Sequence, residues 1–114
     1  MLSFVLPQPP SVNALYANVP RRGRVKTKVY KQWITDAGWL AKSAACGRQI
    51  TGKIEVEYLV SGDKRFDAGN VEKALSDLLV RVGIIADDKH ITSIRIARRD
   101  DTRPEVNVTV REAA

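Results

Sequence analysis

Cysteine and histidine each occur once, as Cys46 and His90. A single cysteine cannot close an internal disulfide, and one thiol with one imidazole cannot assemble a zinc cluster, so any bound metal must be held by oxygen. Long apolar runs are missing as well. The longest is a few residues, far short of the roughly 20 that cross a bilayer, and the first residues lack the charged-then-apolar pattern of a secretory signal. No membrane role is expected, and the cytoplasm is the expected location. Acid is absent from the first third of the chain. Between Met1 and Thr35 stand six basic residues, Arg21, Arg22, Arg24, Lys26, Lys28 and Lys31, and no carboxylate. From Asp36 to Ala114, 13 basic and 13 acidic residues balance, so the net charge of +6 belongs to one short segment. A concentrated basic segment on a neutral body is the electrostatic footprint of a protein that neutralises phosphates. The alternative is a solvated loop that merely aids solubility.

With 44% hydrophobic and 28% charged residues, the 114-residue chain has the composition of one ordinary globular domain over 1–114. Leu2 to Leu6 reads as a strand stopped by Pro7, Pro9 and Pro10. From Ser11 to about Lys26 there is no clear period, which predicts an extended basic loop or arm over about 11–28. A loop that long in a small domain is usually functional. A helix is expected from about Thr27, with Val29, Trp33, Ala37, Leu40 and Ala41 as its apolar stripe and Gly47 as its stop. Trp33 is then the core tryptophan, Trp39, six positions on, does not share its face squarely, and Cys46 is a small buried residue.

Lys53 to Val60 alternates as a half-buried strand, with Ile54, Val56, Tyr58 and Val60 on one face. Asn70 to Val82 is the clearest helix, because Val71, Ala74, Leu75, Leu78, Leu79 and Val82 form one stripe before Gly83. Thr92 to Arg98 and Glu105 to Val110 read as two further strands joined by a turn at Asp100 to Pro104. The order predicts an α+β fold, a small, mainly antiparallel mixed sheet packed with two principal helices.

The second helix also carries a polar stripe. Asn70, Lys73, Asp77 and Arg81 fall at i, i+3, i+7 and i+11, Asp67 stands just ahead, and Asp87 and Asp88 come after. Gathered carboxylates suit magnesium, a hard cation that keeps several waters and bridges protein carboxylates to substrate phosphate. Structural readings of the same residues remain open. Asp67 is a fitting helix N-terminal acid, Lys73 and Asp77 a surface i,i+4 ion pair, and Asp87 and Asp88 turn residues. His90, beside the acidic pair, is either a general base or phosphate contact or an exposed strand-edge residue.

The run Asp67-Ala-Gly-Asn70-Val-Glu-Lys73-Ala-Leu-Ser-Asp77-Leu, with Asp87-Asp88-Lys-His-Ile91 beyond it, resembles the RusA family of Holliday junction resolvases, common in phages and prophages. Leu6-Pro-Gln-Pro-Pro-Ser-Val-Asn13 fits the opening of the same family, and the resemblance covers nearly the whole chain. It implies a homodimeric endonuclease, with Trp39 a candidate for the dimer interface, that makes paired cuts in four-way junction DNA with magnesium or manganese and no organic cofactor. By the same resemblance Asp67, Lys73 and Asp88 are the catalytic residues; Asp67 and Asp88 are then expected to hold the metal, with Asp77 and either Asp87 or Glu57 completing its shell. Asn70 joins Arg21, Arg22, Arg24, Lys26, Lys28 and Lys31 as DNA-binding residues, with Glu57 a further ligand candidate. One position departs from the family pattern. Where the best-known members carry a second aspartate, two residues after the first, this chain has Gly69. Either Asp77 or Asp87 completes the site, or the chain binds branched DNA without cutting it.

Overall fold

The computed structural model describes residues 1–10, 16–20, 22–63 and 68–113. Its elements, in order, are β1 (Leu2–Pro7), β2 (Tyr16–Val19), β3 (Gly23–Lys26), α1 (Lys28–Ala45), β4 (Ile54–Val60), α2 (Ala68–Arg81), a single 3-10 turn (Asp88–His90), β5 (Ile91–Arg98) and β6 (Glu105–Glu112). Among the described residues, β1, β6, β4 and β5 make a four-stranded sheet in that order. The pairs β1–β6 and β6–β4 are antiparallel, whereas β4–β5 is parallel. This is the small mixed α+β fold expected from the sequence. A parallel neighbour needs a crossover connection, and here the crossover is α2 with the turn after it.

The alternation read in β4 and β6 is what buries the sheet. Ile54, Val56, Tyr58 and Val60 are at most 2% exposed, and Val106, Val108 and Val110 beside them are fully buried. α2 contributes Val71, Ala74, Leu75, Leu78 and Leu79 to the same core. α1 begins at Thr27, whose hydroxyl accepts the Tyr30 N–H at 3.2 Å and so satisfies one of the orphan donors of the first turn. Its buried face is Tyr30, Trp33, Ala37, Gly38, Ala41 and Ala45, and the Trp33 indole N–H donates to the Pro7 carbonyl at 2.9 Å. Trp33 is thus a core residue, and Trp39 is 70% exposed.

Three expectations are corrected. The segment read as an irregular arm contains a two-stranded hairpin, with Tyr16 opposite Lys26 and Val19 opposite Gly23. Val29 and Leu40 lie on the exposed side of α1, because the buried arc is centred on Trp33 and Ala37. Cys46 is exposed: it ends α1 in the left-handed conformation with φ 50°, which turns it out of the core. The edge strand β5 is mostly exposed, with Ile94 at 45%.

The segment after α2 positions the acidic pair. Gly83 takes φ +81°, open to glycine without strain. The chain then doubles back, with the Ile84 and Ile85 N–H groups both donating to the Leu79 carbonyl, at 3.0 and 3.3 Å. Both isoleucines are buried, and the Ile84 carbonyl accepts the Ile50 N–H at 2.8 Å. Pinned in this way, the chain returns to α2 carrying Asp87 and Asp88.

Candidate active site

Asp77 and Asp88 meet at the outer face of α2, where both line two adjoining clefts. The larger, about 400 Å³, is walled by Asp77, Asp87 and Asp88 and bordered by Lys26, Tyr30 and Arg81. The smaller, about 210 Å³, is formed by Glu72, Lys73, Ser76, Asp77 and Asp88 with Ile91 and Ile94. Helical spacing puts Lys73 and Asp77 one turn apart on the same exposed side.

Asp87 caps the 3-10 turn, its Oδ1 accepting the Lys89 N–H at 3.0 Å. That hydrogen bond holds the Asp87 carboxyl below the ordinary carboxylate range, helped by the one it shares with Asp88. Asp88 is pushed the other way, first by the hydrogen bond with Asp87, then by desolvation and by the charges of Asp87 and Asp77. Neighbouring like charges disfavour a second ionisation, so the pair makes a locally negative spot that a cation would relieve.

The sequence-predicted residues divide into groups. Asp77, Asp87, Asp88, Lys73 and Lys26 are brought together around the clefts. Asn70 is half-buried in the first turn of α2, ahead of the residues that line them, and Gly69 beside it is exposed. Arg22, Lys28 and Lys31 are exposed along the hairpin and the start of α1. Arg24 lies on β3. Asp67 and Arg21 lie outside the described residues. His90 is exposed at the end of the 3-10 turn, where β5 begins.

Glu57 leaves the candidate set. Side chains alternate across a strand, so Glu57 faces away from α2, on the side of the sheet opposite to its neighbour Tyr58, and it pairs with Arg95 at 3.2 Å. Two residues that sequence reasoning passed over take part instead. Glu72 and Ser76 line the smaller cleft, and the Ser76 hydroxyl donates to Glu72 Oε1 at 2.7 Å. Their i,i+4 spacing was the available signal, but both lie to one side of the polar stripe that drew attention to Asp77.

Among the described residues no three acidic, histidine or cysteine side chains stand close enough to enclose a cation. Magnesium does not require such a cage, since it keeps several waters and takes one or two carboxylates together with substrate phosphate. Asp77 and Asp88, oxygen donors on a shared cleft, fit that ion.

Fold and site together define a small basic α+β protein with an acidic cleft bordered by lysine and arginine, an arrangement suited to a polyanion. The family model for endodeoxyribonuclease RusA matches residues 7–111. The chain belongs to the RusA family. It is 30% identical over 104 residues to the crossover junction endodeoxyribonuclease RusA of Escherichia coli strain K12, an alignment covering 89% of this chain and 85% of that protein. The crossover junction endodeoxyribonucleases RusA of Escherichia coli O1:K1 and of Shigella sonnei strain Ss046 match to the same extent.

Proposed function

We propose that this protein is a structure-specific endonuclease that binds four-way junction DNA as a homodimer and cuts it by metal-dependent phosphodiester hydrolysis. One observation carries the reading: in a chain of this family, Asp77 and Asp88 from separate segments together line two adjoining clefts, one bordered by Lys26 and Arg81 and the other by Lys73. Carboxylates so placed offer oxygen ligands to a hard cation, and the cations beside them offer contacts to a phosphate backbone. The whole chain acts as one domain, with the basic segment at about 11–28 as its grip on DNA.

Magnesium or manganese bound there supplies Lewis-acid activation of a water and neutralises charge on the phosphoryl oxygens. The protein's own groups do the rest. Asp77 and Asp88 hold the ion, with Asp67 and Asp87 as further ligands. Lys73, exposed on the wall of the smaller cleft, places its ammonium beside the phosphate to be cut. Lys26 and Arg81 border the larger cleft and orient the backbone on either side. Arg21, Arg22, Arg24, Lys28, Lys31 and Asn70 extend the contact along the duplex arms. Two copies related by a two-fold axis present two sites to a two-fold junction, which pairs the cuts. The place of action is the cytoplasm, where such DNA is found in a bacterial cell.

Gly69 sustains a second reading, in which the same fold binds branched DNA without cutting it. Incubation with a labelled four-way junction, with and without magnesium or manganese, separates the two. Metal-dependent appearance of paired nicked products supports the nuclease. A retarded complex that is never cut, with either ion, leaves the binding module.

A further inference from the structure

The crossover helix carries a directed hydrogen-bond chain that ends in the smaller cleft. Tyr58, fully buried on β4, has its hydroxyl 2.9 Å from the Ser76 hydroxyl, and Ser76 is itself only 6% exposed. Ser76 has one proton, and it goes to Glu72 Oε1 at 2.7 Å. Tyr58 must therefore be the donor to Ser76, and the order runs Tyr58 O–H to Ser76 O–H to the Glu72 carboxylate. Burial raises the Tyr58 hydroxyl pKa well above its ordinary value, and the nearby Glu72 and Asp77 charges raise it further, so this donor keeps its proton. Such a chain needs an acceptor at its end, which an ionised Glu72 provides.

A phenylalanine and an alanine would fill the same two core positions without buried hydroxyls to satisfy. What the hydroxyls accomplish is to fix one carboxylate. Glu72 is half-buried on the wall that also presents Lys73, Asp77 and Asp88. A flexible surface glutamate has no such tether. Glu72 lines the same cleft as Asp77 and Asp88, and a carboxylate that already accepts the Ser76 hydroxyl has further lone pairs with which to accept hydrogen bonds from an ion's waters. Groups in that outer position orient what the ion binds, and losing one typically weakens metal affinity by about 10–100-fold.

We propose that Glu72 is a third carboxylate of the cation site, accepting hydrogen bonds from the waters of an ion held by Asp77 and Asp88, with Ser76 and Tyr58 as its positioning residues. This rests on the nuclease reading above, since it takes the metal from it.

The test is manganese affinity, measured by titration calorimetry and by the electron paramagnetic resonance signal of free Mn2+, on the full chain without DNA. Glu72→Gln keeps the size and the oxygen that Ser76 donates to, so the fold is retained, and it should weaken Mn2+ binding about tenfold or more. Ser76→Ala should weaken binding in the same direction, whereas Ser76→Thr, which keeps the hydroxyl, should stay near wild type. Glu55→Gln removes an equal charge on the opposite face of the sheet, where Glu55 pairs with Arg111 at 2.9 Å, and should leave affinity unchanged. Thermal midpoints taken in parallel separate lost binding from lost fold. Wild-type affinity in Glu72→Gln, or an equal loss in Glu55→Gln, overturns the role of Glu72 while Asp88→Asn still reports on the nuclease site. If the wild-type protein binds no Mn2+ and cuts no junction, the nuclease reading falls and this inference falls with it.

Discussion

Gly62 donates its N–H to the Asp101 carbonyl at 2.7 Å, joining the end of β4 to the turn between β5 and β6. The approach is closer than a side chain permits. A β-carbon built on Gly62 meets the Arg99 carbonyl inside van der Waals contact and stands 2.7 Å from the Asp101 carbonyl. Both obstacles are backbone atoms of a turn that the Arg99 guanidinium already clamps through the Leu59, Glu105 and Arg103 carbonyls. Glycine is needed here for space, and the segment that leads to α2 departs from this clamp.

Gly62→Ala is therefore expected to destabilise the fold by about 1–3 kcal/mol, the usual cost of forcing an atom into a packed site. Urea denaturation monitored by tryptophan fluorescence measures it. A variant as stable as the wild type would show that the turn yields easily.

Asp101 gives the stability a defined pH dependence. Hydrogen bonds from Arg99 hold its carboxyl down to about 2, against 3.8 when unperturbed. A depressed folded-state pKa stabilises the fold above the unfolded value and stops doing so as pH falls through the folded value. The difference in thermal midpoint between wild type and Asp101→Asn should thus be constant above about pH 5, shrink below pH 4 and be nearly gone at pH 2. Because the carboxylate is exposed, the difference is small throughout. A gap that widened in acid would contradict the assignment.

At the site, Asp77→Asn and Asp88→Asn should each lower metal-dependent junction cutting by roughly a hundredfold or more, the scale on which single groups acting in a transition state are felt. Junction binding should survive in both. Glu57→Gln, on the other face of the sheet, should cut as the wild type does. Gly69→Asp should raise the rate by adding an oxygen ligand on the first turn of α2. Full activity in Asp77→Asn would move the second ligand to Asp87.

The basic segment should set the salt dependence of binding. Replacing Arg21, Arg22 and Arg24 by alanine is expected to flatten the plot of log affinity against log salt by about 0.9 for each phosphate that is no longer neutralised. Lys26→Ala, at the border of the larger cleft, should lower cutting as well as binding. An unaltered slope in the triple variant would place the DNA elsewhere.

Sedimentation at micromolar concentration should give about twice the 12.7 kDa chain mass. Trp39, 70% exposed beside the exposed Leu40, should then show blue-shifted emission at high protein concentration that Trp39→Phe removes. A monomer both alone and on junction DNA would rule out paired incision by two copies.

The amino-acid order by itself determined the elements whose side chains carry a period. Every second residue of β4 and β6 and the 3.6-residue stripe of α2 are apolar, so their buried faces could be named from spacing alone. Charge was equally legible, because a count along the chain locates a basic segment without any coordinates. The hairpin of β2 and β3 was not, since its eight residues pair through backbone groups that every sequence carries. Nor was the exposure of β5 or Cys46, which depends on what lies beside a residue rather than on the residue itself. Only the tertiary structure decided the site. Asp88 reaches Asp77 because Ile84 and Ile85 fold back onto Leu79, Glu57 is removed because the helices cover the other face, and Glu72 is held because a tyrosine 14 positions earlier is buried beneath it. Those are contacts between segments, and contacts between segments are set by how faces pack, which no local pattern records.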